Sequence, residues 1–346
     1  MPWDSEREDY INKYDYMEIE DIKGTDLYEK SVAMIEKLSR DDITRIVKSI
    51  YGAEKVAEEN GLELHDEDAD VVRIAAIHYL DDQNVLAQSI IDEWDSHFIC
   101  EAIEFVTDQE LLLMIVEKAK SSTAQEMAAS RITDQEQLIR FATEPPEPDS
   151  ERSYSSYRYD TEVRIASAEN IKDQKVLKKI FLTDDEEYVQ EAALNNIEDE
   201  DFQYKYAMKK LEYPDHPEWG SSLRIIAVQK INDQQRLINI LKNDQSSDVQ
   251  RAAICKIKDQ SVLLDFALQS HDHYVVKDAL CHIEDQQVLI DLARQNATGS
   301  TYFFRERLIE VLTDLDTLAY MAEHDEEKWN RDQAKHRLGE LKNPEE

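Results

Sequence analysis

The apolar and polar positions of the chain follow a pattern that returns nine times. Each copy has an aliphatic residue, a variable residue, Asp, in most copies Gln, two variable residues and an apolar residue, usually Leu. The aspartates of the nine copies are Asp82, Asp108, Asp134, Asp173, Asp199, Asp233, Asp259, Asp285 and Asp314. They lie 26, 26, 39, 26, 34, 26, 26 and 29 residues apart. The chain therefore consists mainly of repeats with a 26-residue period, extended by 13, 8 and 3 residues at three places.

Each repeat predicts two short helices. The recurring Asp suits the N-cap of the second helix, because its carboxylate accepts hydrogen bonds from the free N–H groups of the first turn. Apolar residues lie four, seven and eight residues after this Asp and ten, six, five and two residues before it, which gives each helix one apolar face. In the repeat of Asp259 they are Val249, Ala253, Ile254 and Ile257 before the cap and Leu263, Phe266 and Ala267 after it.

The sixth position before the Asp is small in eight of the nine repeats. Its residues are Ala76, Ala102, Ala128, Ser167, Ala193, Ala227, Ala253 and Ala279. Small side chains let neighbouring helices approach closely, whereas the column that contains Ala87 varies freely and predicts looser packing. A repeat this short cannot bury its apolar face without neighbours. The pattern predicts an all-α fold, an α-solenoid (superhelix) of about nine 26-residue two-helix repeats with degenerate capping helices.

The ends of the chain depart from the repeat. Residues 1–24 are acidic and predict a loosely docked N-terminal tail. Residues 25–67 predict N-terminal capping helices, roughly Asp26–Leu38 and Asp42–Asn60, and residues 68–341 predict the solenoid, with a last helix over 326–341. All seven prolines lie at the termini or in the two longer insertions. Their absence elsewhere favours helices, because proline inside a helix costs ~3 kcal/mol.

Gln follows the capping Asp in seven of the nine repeats. Two interpretations are open. In the first, Gln is only a favourable residue for the first turn of a helix. In the second, each amide bonds a backbone group of the next repeat, so that the glutamines form a ladder. Both interpretations give Gln a structural role.

The first helix of the repeat resembles that of HEAT-like repeats, especially the short bacterial forms with Asp-x-x-x-x-Val-Arg-x-x-Ala. Related residues are Asp160, Val163, Arg164 and Ser167, and also Asp185, Val189, Gln190 and Ala193 with Gln in place of Arg and one more residue of spacing. Gln125, Gln190 and Gln250 replace the Arg, so an Asp–Arg ladder is expected to be interrupted. The short repeat is also similar to the leucine-rich repeat variant family. The resemblance covers about residues 68–340.

The resemblance implies a solenoid but leaves the function open, because such families include scaffolds, inhibitors, adaptors and occasional enzymes. The iron-containing hydroxylases built on HEAT-like repeats carry paired His-Glu motifs, and this chain has no His-Glu dipeptide. It also lacks the N-terminal cysteine cluster that accompanies iron–sulfur binding in the repeat-variant family. We therefore expect no enzyme activity and no cofactor.

Four residues have the composition of a zinc set, namely His271, His273, Cys281 and His282. His273 and Cys281 are expected at opposite ends of one helix, ~12 Å apart, which is too far for a shared ion. Cys255 and Cys281 occupy the same position in adjacent repeats, too far apart for a disulfide. We expect buried or half-buried thiols and no metal.

The net charge of −36, from 40 Lys and Arg against 76 Asp and Glu, narrows the class of partner. It disfavours direct binding to nucleic acid and to anionic membranes, both of which need clustered cations. It favours a basic protein partner, although solubility alone is an equally open explanation. No apolar stretch is long enough for a membrane span, and the start has no apolar signal region, which predicts a cytoplasmic protein.

The three insertions hold the candidate partner-binding residues, since insertions project from one edge of a solenoid. These residues are Arg152, Tyr154, Tyr157, Arg158 and Tyr159 in the first, Tyr213, His216 and Trp219 in the second, and Tyr302 and Phe303 in the third, which ends at Phe304. Tyr, Trp and Arg dominate binding hot spots. The alternative, equally open, is that these aromatic side chains fold back onto their own loops.

The sequence thus predicts a non-catalytic protein-binding solenoid that recognises a basic protein partner. One alternative is a stoichiometric inhibitor, either toxin-neutralising or mimicking nucleic acid with its acidic surface. A second alternative, from a different class, is a HEAT-like enzyme of the bilin-lyase type.

Overall fold

The computed structural model describes residues 19–65, 68–144, 156–208, 221–294 and 302–342, without the side chains of 156–160, 221, 302 and 303. These residues form 23 helices and no strand, so the fold is all-α, as predicted. The chain divides into two compact parts, an N-terminal half (residues 1–196) and a C-terminal half (residues 197–346). The prediction of one repeat domain over 68–341 stays a prediction.

The N-terminal half contains thirteen helices in its described residues. They are α1 (Ile19–Lys23), α2 (Asp26–Ile35), α3 (Arg40–Lys48), α4 (Ile50–Glu59), α5 (Asp68–Ile77), α6 (Gln83–Ile91), α7 (Ser96–Ile103), α8 (Gln109–Lys118), α9 (Ser122–Ser130), α10 (Gln135–Thr143), α11 (Ser156–Asn170), α12 (Gln174–Thr183) and α13 (Glu187–Asn196). The first helices of successive repeats, α5, α7, α9, α11 and α13, pack on one another in chain order. This sequential stacking is that of a solenoid.

The C-terminal half contains ten helices in its described residues. They are α14 (Glu200–Ala207), α15 (Ser221–Lys230), α16 (Gln234–Asn243), α17 (Ser247–Ile254), α18 (Gln260–Gln269), α19 (His273–Cys281), α20 (Gln286–Arg294), α21 (Tyr302–Val311), α22 (Leu315–His324) and α23 (Lys328–Lys342). Here too the first helices, α15, α17, α19, α21 and α23, pack in chain order. Helix α23 confirms the predicted last helix.

The recurring Asp begins the second helix of every repeat. Each of the nine carboxylates accepts at least one hydrogen bond from a backbone N–H two or three residues later. The small residues six positions before the Asp are all fully buried, from Ala76 to Ala279. Both predictions are confirmed. Ala87 is also fully buried, so the expectation of loose packing in its column is wrong.

The glutamines after the capping Asp form the predicted ladder. In the N-terminal half, the Gln109 side chain donates to the Arg131 carbonyl oxygen at 3.3 Å and accepts from the Thr133 N–H at 2.9 Å. In the C-terminal half, Gln234 makes the same pair of bonds to the next repeat. Glu200, which replaces Gln in the repeat of Asp199, still accepts from a backbone N–H of the next repeat at 3.0 Å.

The N-terminal cap has three helices where two were predicted. The second predicted helix is divided at Ser49, whose extended backbone ends α3 and whose hydroxyl caps α4 by accepting from the Gly52 N–H. A Cβ atom on Gly52 would collide with the Arg45 carbonyl oxygen, so the close approach of α3 and α4 requires glycine at this position.

The tail prediction is wrong for residues 19–24. Helix α1 docks on the first repeat, with Ile22 only 1% exposed against Val71 and Ile74 of α5. The Lys23 ammonium lies 3.0 Å from the Glu101 carboxylate of α7. An apolar anchor and an ion pair therefore hold this segment, while residues 1–18 of the predicted tail lie outside the described residues.

A search of the described residues for a helix long and apolar enough to cross a membrane found none.

Candidate functional site

Four repeats share a buried ion pair, which we call the clamp. In each, an Arg in the first helix contacts a carboxylate twenty residues later, at the start of the junction between that repeat and the next. The four pairs are Arg73–Glu93, Arg164–Asp184, Arg224–Asp244 and Arg305–Asp325. The carboxylate side chains are between 1% and 14% exposed. Each clamp therefore fixes one junction from within the protein.

The clamp at Asp184 illustrates the geometry. The Arg164 guanidinium donates to both carboxylate oxygens, at 2.8 and 3.0 Å. One of these oxygens also accepts from the Glu186 N–H at 3.0 Å, which closes the turn. The Asp184 carbonyl oxygen accepts from the side-chain amide of Gln190, a residue of the next repeat, at 2.5 Å. Both neighbouring repeats thus hold the same aspartate.

The other clamps of Asp repeat this arrangement. At Asp244 the Ser246 N–H donates to the carboxylate and the Gln250 amide donates to the carbonyl oxygen, at 2.9 and 2.8 Å. At Asp325 the Glu327 N–H and the Arg331 guanidinium take these roles. The Asp–Arg ladder is therefore interrupted, as expected. The Gln that replaces Arg in the next repeat donates its side-chain amide to the carbonyl oxygen of the clamped Asp.

Three of the four clamped junctions present an exposed aromatic side chain. Trp94, Tyr188 and Trp329 are 64%, 70% and 50% exposed. Tyr188 and Trp329 are the second residues of α13 and α23, and Tyr274, which is 57% exposed, is the second residue of α19. A rigid junction with a large exposed aromatic ring is a favourable contact point, because little side-chain and backbone entropy remains to be lost on binding.

Carboxylates adjoin these aromatic residues along the chain. At Trp94 they are Asp92, which pairs with Lys120 at 2.7 Å, Glu93 and Asp95. Asp185, Glu186 and Glu187 precede Tyr188, are exposed, and have no ion-pair partner among the described residues. Glu326 and Glu327 precede Trp329, whose ring N–H donates to the Glu306 carboxylate at 3.2 Å. We call the junctions at Trp94, Tyr188 and Trp329 the acidic–aromatic junctions. Their electrostatic potential favours cationic groups.

At the junction at Trp94, the pKa values of two carboxyl groups are shifted in opposite directions. Burial raises the pKa of Asp70, and the neighbouring Asp95 carboxylate raises it further. Burial also acts to raise the pKa of Glu93, but Arg73 and the backbone N–H groups of Asp95 and Trp94 together lower it below its ordinary value. Arg73 is thus shared between two carboxylates of opposite pKa shift, at 3.1 Å from Asp70 and 2.5 Å from Glu93.

The ten residues predicted from the insertions are not tested by the structure. Arg152, Tyr154, Tyr213, His216 and Trp219 lie outside the described residues, as do the side chains of Tyr157, Arg158, Tyr159, Tyr302 and Phe303. These last five belong to helices, because α11 begins at Ser156 and α21 at Tyr302. The first and third insertions therefore end earlier than predicted.

Phe304, the last residue of the third predicted insertion, belongs to the core. It is 1% exposed and lies ten residues before Asp314, a position that is apolar in the repeat pattern. The interpretation of Phe304 as part of a projecting loop is wrong, because the helical pattern begins two residues before it.

The cysteines differ from the expectation. Cys255 and Cys281 are exposed rather than buried, and Cys100 is half-buried. Partial burial raises the pKa of the thiols of Cys255 and Cys281, and the Asp278 carboxylate adds to this effect in both. A raised pKa keeps these thiols protonated and weakens their nucleophilicity.

The zinc-like residues have separate contacts. The Nδ1 atoms of His271 and His282 lie 3.1 and 2.8 Å from the carbonyl oxygens of Gln269 and Asp278. The His273 ring packs against the Tyr274 ring, with 3.9 Å between the centroids. Within the described ranges, no group of three or more His, Cys, Asp and Glu residues is placed to hold a metal ion.

Sequence analysis missed the clamp, although a signal for it exists. Arg nine residues before the capping Asp occurs in the four repeats that have Asp or Glu eleven residues after it. The other five repeats have neither the Arg nor the acid at these positions. This correlated presence would have identified the clamp. The aromatic residue eleven positions before Asp199 and before Asp285 would have identified two of the exposed aromatic residues, Tyr188 and Tyr274.

Neither a scan of protein-family models nor a search of curated proteins found a match to this chain.

Proposed function

We propose that this protein is a non-catalytic binding solenoid that recognises a basic protein segment through its acidic–aromatic junctions. The observation that carries the proposal is the combination, at three junctions, of a buried clamp, neighbouring carboxylates and an aromatic ring that is at least half exposed. A Lys or Arg side chain gains a cation–π contact with the ring and an ion pair with the carboxylates.

A contact within the protein supports this chemistry. The Arg251 guanidinium lies 5.7 Å from the centroid of the Tyr274 ring while it pairs with Asp278 at 2.6 Å. A guanidinium is therefore compatible with a ring at this position and a nearby carboxylate. The net charge of −36 adds long-range attraction for a cationic partner.

A titration with a defined basic peptide tests the proposal. We propose fluorescence anisotropy of a labelled peptide of five Arg-Gly-Ser triplets, with five Gln-Gly-Ser triplets as the neutral control. Trp94→Ala and Trp329→Ala should each weaken binding two- to fivefold, the loss expected of one exposed cation–π contact worth ~0.5–1 kcal/mol. Binding should also weaken at least tenfold between low and high salt, because screening shortens the range of the attraction to ~3 Å at 1 M.

Tyr51→Ala is the matched control. Tyr51 is 70% exposed, like Tyr188, and is also the second residue of its helix. Along the chain it follows Lys48, Ser49 and Ile50. It lines one cavity with Asp92 and Glu93, but Lys55 lies over its ring at 5.9 Å and repels a cationic group there. Its removal should leave the affinity within twofold of the wild type. Equal losses in the three variants would contradict a role for the acidic–aromatic junctions.

The insertion residues are part of the same proposal and need their own variants. Tyr157→Ala and Trp219→Ala should weaken binding of a partner protein by ~2 kcal/mol or more if these insertions supply hot spots, mainly through faster dissociation. With the simple basic peptide, which offers only cations, we expect the junction variants to have the larger effect.

The alternatives give different outcomes in related assays. A nucleic-acid-mimicking inhibitor would displace DNA from a basic partner in stoichiometric amounts. An enzyme of the bilin-lyase type would change the visible absorbance of an added tetrapyrrole. The proposed binding module does neither and forms a complex that dissociates in salt.

The family and compartment are also proposals. The 26-residue helical repeat with its capping Asp supports HEAT-like repeats. Three free thiols, two of them exposed, support a reducing compartment such as the cytoplasm.

A further inference from the structure

Helix α12 has an exposed face of three lysines. Lys172, just before the helix, and Lys175, Lys179 and Leu182 follow one another at spacings of three, four and three residues, which places them on one side of a helix. All four residues are exposed, Leu182 to 66%. The three lysines have no ion-pair partner among the described residues, and α12 contains no acidic residue. We call these four residues the lysine face.

An acidic segment follows directly. Asp185, Glu186 and Glu187 are exposed and lie between the end of α12 and the start of α13, and the exposed Tyr188 comes next. The clamp of Arg164 and Asp184 ties the start of this segment, at the C-cap of α12, to α11. Opposite charges therefore adjoin one another along the chain in the N-terminal half. The exposed side chain of Leu182 precedes the acidic segment, and that of Tyr188 follows it.

We infer that a second copy of this chain binds here, in a twofold symmetric dimer. A twofold axis brings the same surface of two copies together in reverse orientation. The lysine face of one copy then meets residues 185–187 of the other, and the reverse contact forms at the same time. Leu182 and Tyr188 of both copies lie near the axis and lose apolar surface to water. A surface that carries both charges and an apolar boundary is complementary to itself.

The whole-molecule charge limits the strength of this dimer. Two chains of −36 repel each other, and the ion pairs must act against this repulsion. The lysine face extends over ~15 Å, the length of ten helical residues, which indicates a patch at the small end of protein interfaces. We therefore expect reversible association in the micromolar range rather than an obligate dimer.

This inference does not rest on the proposed binding of a basic segment, although the dimer would cover one of the three acidic–aromatic junctions. It uses the junction at Tyr188, while the junctions at Trp94 and Trp329 stay accessible to a partner. Its test measures the mass of the protein alone, so that failure of either idea leaves the other standing.

A charge-swap experiment tests the dimer. Lys175→Glu with Lys179→Glu makes the patch mainly acidic and leaves Lys172, and Asp185→Lys with Glu186→Lys makes it mainly basic and leaves Glu187. Sedimentation equilibrium at 5–200 µM, about the range in which such a dimer populates, should give a dimer for the wild type. Each double variant should be monomeric, because its copies meet like with like. The equimolar mixture of the two variants should form a heterodimer, because both contacts are then attractive.

Leu182→Ser tests the apolar boundary with a single change at an exposed position. It should raise the dimer dissociation constant at least tenfold. Leu268→Ser is the matched control, because Leu268 occupies the same repeat position, is 37% exposed, and follows Asp265 rather than a lysine. It should change the dissociation constant less than twofold.

A wild-type protein that is monomeric at 200 µM, about the highest concentration of the series, would overturn the inference. So would double variants that dimerise as well as the wild type, or a mixture that stays monomeric although both variants keep the wild-type circular dichroism spectrum.

Discussion

At the residue scale, the clamp is the feature that gives the repeats their fixed junctions. Asp184 accepts four hydrogen bonds from two repeats, two from Arg164, one from the Glu186 N–H and one from the Gln190 amide. A buried ion pair of this kind adds little over an apolar pair, but breaking it leaves a buried charge without a partner. Single substitutions within a clamp should therefore be costly.

Asp184→Asn should destabilise the protein by ~2–4 kcal/mol, because Arg164 keeps its charge and loses the carboxylate. Urea denaturation followed by circular dichroism measures the change. Asp185→Asn, one residue along, is the control, since this side chain is exposed and has no ion pair in the described part of the chain. Its cost should stay within ~0.5 kcal/mol. Equal costs would show that the clamp is not a stabilising contact.

Asp70 gives a prediction in pH. Burial and the Asp95 carboxylate raise its pKa, so the folded protein holds this proton more tightly than the unfolded chain does. Asp70 therefore contributes stability at acid pH, and this contribution is lost as the pH rises through the raised pKa. Asp70→Asn should be more stable than the wild type at pH 7, with the difference shrinking toward the ordinary pKa of Asp, about 3.9. Urea denaturation of both proteins between these pH values measures the difference in the free energy of unfolding, and Asp92→Asn is an exposed control. A stability difference that grows on acidification would contradict the prediction.

Sequence alone predicted the caps and the small-residue column, because each depends on contacts within about one repeat. The exposure of Cys255 and the burial of Ala87 were not predicted, because both depend on how closely adjacent repeats approach. Side-chain variability in the column of Ala87 was taken to indicate looser packing, although Ala87 itself is fully buried.

At the scale of the elements, the glutamine ladder and the small-residue column set how repeats stack. The ladder satisfies backbone groups in the turn between the two helices of the next repeat, which would otherwise need water.

The N-terminal cap contains a break that the sequence did not predict. Its division at Ser49 depends on the packing of Gly52 against α3, which no period of the sequence signals.

Gln234→Ala should cost ~1–2 kcal/mol, because it removes two hydrogen bonds to the repeat of Asp259. Gln235→Ala is a neighbouring control, since the Gln235 side chain is exposed. Thermal or urea denaturation of both variants gives the comparison. A ladder without energetic value would make the two variants indistinguishable.

Ala253→Phe should cost at least ~1–3 kcal/mol, because the fully buried Ala253 leaves no room for a larger side chain. Ala33→Phe, at an exposed position of α2, should cost less than ~1 kcal/mol. The measurement is again the free energy of unfolding in urea. Similar values at both positions would mean that the small-residue column does not control the approach of the helices.

At the scale of the whole molecule, the repeat period predicted the all-α fold and most of the helices, since the pattern is local and returns nine times. The acidic–aromatic junctions were not predicted, and the site predicted in the insertions stays a prediction. Sequence analysis favoured aromatic residues of the insertions, whereas three exposed aromatic residues, Trp94, Tyr188 and Trp329, lie at clamped junctions. Trp94 and Trp329 lie beside clamps, each of which couples residues twenty positions apart and was not recognised in the sequence.

The most direct test of the central claim observes the junction tryptophans during binding. The chain has four tryptophans, so 5-fluorotryptophan labelling gives a ¹⁹F spectrum that single Trp→Phe variants can assign. On titration with the peptide of Arg-Gly-Ser triplets, the resonances of Trp94 and Trp329 should shift to saturation, and the Gln-Gly-Ser peptide should leave them unchanged. Resonances of Trp94 and Trp329 that stay in place while the basic peptide binds would contradict recognition at the acidic–aromatic junctions.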